Sequence, residues 1–328
     1  MVYTEDIFLA EKDGHKYIFI GKMDRVAYRI DMHFEKSVEE WQRLNALDFY
    51  SADKCQYLTT LHEHDKAIIP DHPQIDVRYI QDGYLPSNYS SYYLRFKPSN
   101  VQYYAWDKIG KMAFEAQGVP VSIMPFRKKL YMPIPNFKRN VKNVLVATSG
   151  SGDWTALKNR SDDDLMVMAF VKLARIFPNI NFIYRCHPTW IHPQHVGVNS
   201  INRVMEYFNY TGLKNIWVSG NIPKIESMSN FPLTFKRSSL QSDLETADIV
   251  FGEHSVSMLD ASFEKIPFCS VNLTKRRNFT ESLTNMGFPH CQNIDDLVNL
   301  IRNIGTIDFQ RKYINAVNNY NLMTLEDE

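Results

Sequence analysis

Apolar residues in this chain fall in short runs separated by longer amphipathic stretches, the pattern of strands alternating with helices. It is clearest in the second half. Runs at 144–148 (VLVAT), 181–186 (NFIYRC), 215–219, 248–252 (DIVFG) and 267–272 read as buried parallel strands. Between and after them, 161–176, 239–246, 255–265 and 294–304 carry helical spacing. Asp162, Asp163 and Asp164 fall in the first turn of the first of these helices, where the helix dipole favours negative charge, and they are read as dipole partners rather than metal ligands.

The first half alternates less regularly. Strands are predicted at 15–20, 77–80, 101–106 and 119–124, and a helix at 107–117 closed by Gly118. A second helix is predicted at 37–47, with Ser37 as N-cap and Glu40 three residues on, a capping box. The Pro-rich stretch Tyr131-Met132-Pro133-Ile134-Pro135 reads as an extended crossover and marks the domain boundary. The chain is thus expected to form two domains, 1–137 and 138–328, which suits a length of 328 residues. The expected class is α/β. Two Rossmann-like domains facing each other across a cleft, joined by a crossover and closed by C-terminal helices, describe the GT-B architecture.

Composition narrows the function. Lys plus Arg equals Asp plus Glu at 37 each, which argues against a dedicated nucleic-acid binder with its basic footprint. Two local basic clusters, Arg127-Lys128-Lys129 and Lys275-Arg276-Arg277, remain candidates for anionic ligands or membrane head groups. Cys55, Cys186, Cys269 and Cys291 form no CxxC pair, so neither a disulfide framework nor a structural zinc site is predicted. The N-terminal MVYTEDIFLAEKDG carries no basic and apolar regions of a signal peptide, and no apolar run reaches membrane-spanning length, so a cytoplasmic chain is expected.

Candidate chemistry gathers after strands. The loop Thr148-Ser149-Gly150-Ser151-Gly152-Asp153 follows the strand at 144–148. Its glycines permit a tight turn and close approach to a ligand, and Asp153 presents one carboxylate. Ligands of open α/β sheets sit at such strand ends. His187-Pro188 follows the strand at 181–186, and the imidazole can donate to a phosphate or a sugar. His192 and His195 extend it to an H-x4-H-x2-H spacing, but prolines after His187 and His192 break the register a metal site needs. Gly252-Glu253-His254-Ser255-Val256-Ser257 spans a strand-to-helix turn, where free N–H groups and the two serine hydroxyls suit a phosphate or carboxylate. In the first half, Asp82-Gly83-Tyr84 and Asn88-Tyr89-Ser90-Ser91 are candidates for meeting an acceptor. No G-x-G-x-x-G or Walker A pattern is present, which leaves a dehydrogenase or NTPase poorly supported.

The segments S-G-S-G-D-W-T-A-L-K-N-R-S-D-D-D at 149–164, R-C-H-P-T-W at 185–190 and G-E-H-S-V-S-M-L-D-A at 252–261 resemble the retaining β-Kdo glycosyltransferases of bacterial surface polysaccharides, the O-antigen members above all. D-G-Y-L-P at 82–86 and R-F-K-P-S-N at 95–100 extend the resemblance over most of the chain. The His-Pro and serine-helix pair looks more loosely like the CMP-sugar motifs of bacterial polysialyltransferases and capsule Kdo transferases. The resemblance implies CMP-β-Kdo as donor, no cofactor and no metal. It implies retention by double displacement, with Asp153 as nucleophile. Glu253, Asp82 and His254 are candidates for the acceptor base. His187, Ser255 and Ser257 are candidates for holding the CMP phosphate or the Kdo carboxylate. Ser149, Gly150, Gly152, Lys158, Arg185, Pro188, His254 and Arg276 complete the expected donor site. The implied acceptor is a glycan, undecaprenyl-linked, at the inner face of the bacterial inner membrane, with peripheral membrane association and a place within a longer polysaccharide synthase as further expectations. Two other readings stay open: another CMP- or CDP-linked transferase (a sialyltransferase or polyol-phosphate transferase), and a non-catalytic glycan- or nucleotide-binding module.

Overall fold

The computed structural model describes residues 6–12, 15–21, 41–44, 55–59, 76–80, 101–105, 108–116, 118–123, 131–148, 160–186, 197–220, 235–253, 257–273 and 280–324. The chain divides into two compact units, Met1–Leu130 with Met323–Glu328, and Tyr131–Leu322. The crossover stretch that begins at Tyr131 therefore goes with the second unit.

The first unit holds a seven-stranded sheet in the order β3-β1-β2-β4-β5-β6-β7. Its strands are β1 (Asp6–Lys12), β2 (His15–Gly21), β3 (Trp41–Leu44), β4 (Cys55–Thr59), β5 (Asp76–Ile80), β6 (Val101–Ala105) and β7 (Val121–Ile123). β2 pairs in parallel with β4, β4 with β5, β5 with β6 and β6 with β7. β1 pairs antiparallel with both β2 and β3. The register sets Lys12 opposite His15. Helix α1 (Lys108–Glu115) buries Ile109, Ala113 and Phe114, and the Phe114 ring meets that of Tyr103 on β6 at 6.1 Å.

One expectation fails here. The helix predicted at 37–47 is crossed by strand β3, in which Trp41 to Leu44 pair with Ala10 to Ile7 of β1. A capping box is a local preference worth about 1 kcal/mol. A ladder to a neighbouring strand outweighs it, and that partner lies some thirty residues away in sequence, beyond any local window.

The second unit carries a wholly parallel sheet in the order β11-β10-β9-β8-β12-β13-β14. The strands are β8 (Asn143–Ala147), β9 (Asn181–Arg185), β10 (Ile216–Gly220), β11 (Phe235–Arg237), β12 (Ile249–Gly252), β13 (Phe268–Val271) and β14 (His290–Cys291). The helices are α2 (Arg160–Ile176), α3 (Gly197–Thr211), α4 (Leu240–Thr246), α5 (Ser257–Phe263), α6 (Glu281–Asn285), α7 (Ile294–Asn303) and α8 (Ile307–Thr324). Strand order grows outward from β8 in one direction, then restarts at β12 on its other side. This is the doubly wound Rossmann topology, with its switch point between β8 and β12.

Alternate strand residues Val144, Val146, Phe182, Tyr184, Ile249 and Phe251 form one core with Phe170 of α2, Phe208 of α3 and Leu297 of α7. Phe170 lies 5.6 Å from Phe251, and Tyr184 meets Phe208 edge-on at 5.9 Å. The C-terminal end of α2 is closed by one buried amide: Asn215 Nδ2 donates to the carbonyls of Ala174, Phe177 and Ile180 at 2.9–3.1 Å.

The crossover is fastened to the C-terminal helices. Asn321 on α8 exchanges two hydrogen bonds with the backbone of Met132, its Oδ1 accepting from the N–H at 2.7 Å and its Nδ2 donating to the carbonyl at 2.9 Å. Gly305, between α7 and α8, lies so close to Arg139 that a Cβ there would stand 2.5 Å from the Arg139 carbonyl oxygen and 2.9 Å from its Cα. Those are backbone atoms and cannot swing aside. Gly305→Ala is therefore expected to destabilise the chain by about 1–3 kcal/mol, the range for overpacking, read as a lower urea midpoint with an unchanged slope.

Candidate functional site

Three segments that carry expected site residues follow neighbouring strands of the second unit's sheet in the chain. Ala147, the last residue of β8, is in register with Arg185, the last residue of β9. On its other side Ala147 is in register with Gly252, the last residue of β12. All three strands run parallel, so the stretches that follow them depart from adjacent carboxyl ends at the switch point.

Of the expected residues, Ser149, Gly150, Gly152, Asp153, Lys158, His187, Pro188, His254, Ser255, Arg276 and Asp82 lie outside the described residues. In chain order Asp153 comes six positions after the end of β8, His187 two after β9 and Asp82 two after β5. Arg185, Glu253 and Ser257 are described. Glu253 is half-buried and follows β12 directly, and Ser257 is the first described residue of α5.

The strand ends are tightly built. Beyond β8, Thr148 donates to the Arg185 carbonyl from its backbone N–H at 3.3 Å and from its hydroxyl at 2.9 Å. Beyond β9, Cys186 donates to the Ser219 carbonyl from its N–H and from its thiol, both at 3.1 Å. The chain entering His187-Pro188 is thus pinned from both neighbouring strands. Burial pushes the Cys186 thiol up to about 12, so it is a packed thiol at neutral pH and no nucleophile. Gly252 has a packing reason: a Cβ would stand 2.9 Å from Cγ of Met258, the second residue of α5, and 3.4 Å from the Ala147 carbonyl oxygen. The helix after β12 comes down directly over the strand end.

A network absent from the sequence reading lies beside these loops. Asp243, in the first turn of α4, accepts from Arg185 Nη1 at 2.5 Å, Ser219 Oγ at 2.7 Å and Ser238 Oγ at 2.6 Å. Asp243 falls in the helix expected at 239–246, but no local signal distinguishes it from a surface carboxylate of an amphipathic turn. A second polar pair sits on the far strands, where Ser270 Oγ lies 2.6 Å from His290 Nδ1. Burial lowers the His290 pKa, while Ser270 is 1% exposed and out of reach of a substrate. Cys269 and Cys291 are likewise buried free thiols.

Among the described residues no helix is long and apolar enough to cross a membrane. No family model matches the sequence, and no curated protein matches it. Solved structures similar to the chain include the GtfA/B complex, with a TM-score of 0.46, 11% identity, 96% of this chain and 61% of that chain covered. The S. aureus MnaA–UDP structure gives 0.49 and 12% over 84% of this chain and 71% of that one. Sucrose-phosphate synthase from Thermosynechococcus elongatus gives 0.46 and 10% over 85% and 72%. This chain spans less than two thirds of the GtfA/B chain's length. Likenesses this distant leave the activity to the site itself.

Proposed function

We propose that the chain is a retaining glycosyltransferase of the GT-B class that moves β-Kdo from CMP-β-Kdo to a glycan acceptor. The observation that carries this reading is the register of β8, β9 and β12 at the switch point. The segments that carry Asp153, His187-Pro188 and Glu253–Ser257 follow these adjacent strand ends in the chain, where nucleotide ligands of such sheets bind.

In the proposed reaction the Asp153 carboxylate attacks the anomeric carbon of Kdo. The bond to the phosphate oxygen breaks and CMP leaves with its electron pair. CMP is a stabilised leaving group, so this step needs no strong acid. The acceptor hydroxyl then attacks the same carbon, a base takes its proton, and Asp153 departs as a carboxylate. Two inversions give net retention. Glu253, Asp82 and His254 remain the candidates for the base. His187, Ser255, Ser257 and Arg276 would hold the phosphate or the Kdo carboxylate, and Ser149, Gly150, Gly152 and Lys158 would complete the donor site. The proposed partner is an undecaprenyl-linked glycan met at the cytoplasmic face of the inner membrane. No metal or organic cofactor is required by this chemistry.

The test is a donor panel. CMP-Kdo, CMP-sialic acid, a CDP-polyol and UDP-N-acetylglucosamine are each incubated with the chain and a lipid-linked glycan fraction, and nucleotide release and product are measured. Turnover of CMP-Kdo alone, with the anomeric configuration retained, is the expected result. Turnover of another CMP or CDP donor would replace Kdo as the substrate. CMP binding with no turnover of any donor would leave a binding module.

A further inference from the structure

Arg185 ends β9, and its Nη1 donates to Asp243 Oδ2 at 2.5 Å and to the Ser238 carbonyl at 3.3 Å. Asp243 also takes the hydroxyls of Ser219, on β10, and Ser238, one residue past β11. One carboxylate therefore ties together the carboxyl ends of three neighbouring strands. The pair is well removed from water, with 13% of the Arg185 side chain and 7% of the Asp243 side chain exposed.

A guanidinium has five N–H donors in a planar fork. Among the described residues, both side-chain hydrogen bonds of Arg185 use Nη1. Nε and Nη2 have no partner among the described residues. Neither atom is among the fully buried polar atoms left without a partner, so this edge of the fork stays open to solvent, and a lysine could have served a purely structural pair with Asp243. The spare edge of the fork matches the two oxygens of a carboxylate or phosphate.

We propose that Arg185, held in place by Asp243, receives an anionic oxygen pair of the ligand at the carboxyl end of β9, with Asp243 as its positioning residue. Because Asp243 already neutralises the arginine, recognition rests on the direction of the donors more than on net charge. The identity of the ligand rests on the reading above: the oxygens belong either to the CMP phosphate or to the Kdo carboxylate.

Calorimetric titration of the whole chain with cytidine, CMP, CMP-Kdo and UDP-N-acetylglucosamine tests this, with circular dichroism and melting as the check on folding. Arg185→Lys keeps the charge and the pair but loses the fork. It is expected to melt near wild type and to bind its nucleotide ligand about 10- to 100-fold more weakly, with cytidine unchanged. A loss for CMP-Kdo alone assigns the carboxylate, and an equal loss for CMP assigns the phosphate. Asp243→Asn raises the positive charge of the site, so tighter binding would mean that Asp243 only neutralises; the positioning role predicts weaker binding. Should that variant not fold, Ser219→Ala removes one anchor of Asp243, leaves the ion pair, and should give a smaller loss of the same sign. Unchanged nucleotide affinity in a folded Arg185→Lys chain overturns the inference alone. Binding of the UDP-sugar in place of CMP, weakened by Arg185→Lys, supports the inference and overturns the donor reading. A wild-type chain that binds no nucleotide overturns both.

Discussion

Asp153→Asn is expected to abolish Kdo transfer while CMP-Kdo still binds. If Asp153 is the nucleophile, it makes its decisive interaction only as the anomeric carbon becomes electrophilic. Its amide counterpart fills the same space but cannot form the glycosyl ester. Loss of a group that acts in the bond-making step lowers kcat with little effect on donor affinity, on the order of 10⁴-fold or more for a covalent nucleophile. The direct observation is intact-protein mass spectrometry of the wild-type chain mixed with fresh CMP-Kdo and no acceptor. A gain of one Kdo, mapped to the peptide that contains Asp153 and missing in Asp153→Asn, identifies donor and nucleophile together. Near wild-type transfer by Asp153→Asn would sink the double-displacement mechanism. The donor site could survive that outcome, since the Arg185 network belongs to β9 and its neighbours and not to the Asp153 loop.

The second unit was legible because its strands are buried on both faces. Runs such as Val144–Ala147 and Ile249–Gly252 stay apolar without alternation, and each is followed by turn residues and an amphipathic helix. Strand bounds read from the sequence agree with the structure to within one or two residues there. The strands missed in this unit are short and at sheet edges: β11 has three residues and β14 two, too few to show a period. Helix α3 was missed for a different reason. It is rich in Asn and Tyr, which blur its apolar period around the buried Met205 and Phe208. β1 and β4 also went unread in the first half, where polar residues interrupt the apolar pattern.

That the site should lie at these strand ends is an expectation from the rule that α/β sheets bind ligands there, together with the resemblance. What ties the strand ends together did not follow. Arg185 and Asp243 are 58 residues apart, and Ser219 and Asp243 are 24 apart, so their meeting depends on sheet order, which no local pattern encodes. The same holds for Asn321 and Met132, 189 residues apart. Polar residues that serve long-range contacts look in sequence like ordinary surface residues, because their partner is what distinguishes them.

Tyr313→Ala should be the most damaging single change in the second unit. Tyr313 stands on α8 and is 1% exposed. Its ring meets Phe137 of the crossover at 5.6 Å, Phe268 of β13 at 6.0 Å, Phe288 at 5.3 Å and Phe309 at 5.9 Å. Its hydroxyl accepts from the Phe268 backbone N–H at 2.8 Å. Truncation removes a large aromatic from a closed cluster, which costs about 3–5 kcal/mol. It also leaves a buried N–H without its acceptor, adding about 1–3 kcal/mol. A total on the order of 4–8 kcal/mol would rival the whole stability of a typical domain. Tyr313→Phe separates the two terms, since it keeps the ring and loses only the hydrogen bond, and should cost about 1–3 kcal/mol. The measurement is urea unfolding of the three proteins, followed by far-ultraviolet circular dichroism. A Tyr313→Ala chain within 1 kcal/mol of wild type would mean that α8 docks independently of this cluster. The helix would then be held by Asn321 on Met132 and by the close contact of Gly305 with Arg139, so its apolar stripe at Phe309, Tyr313, Ala316, Val317 and Tyr320 would not be what closes the sheet.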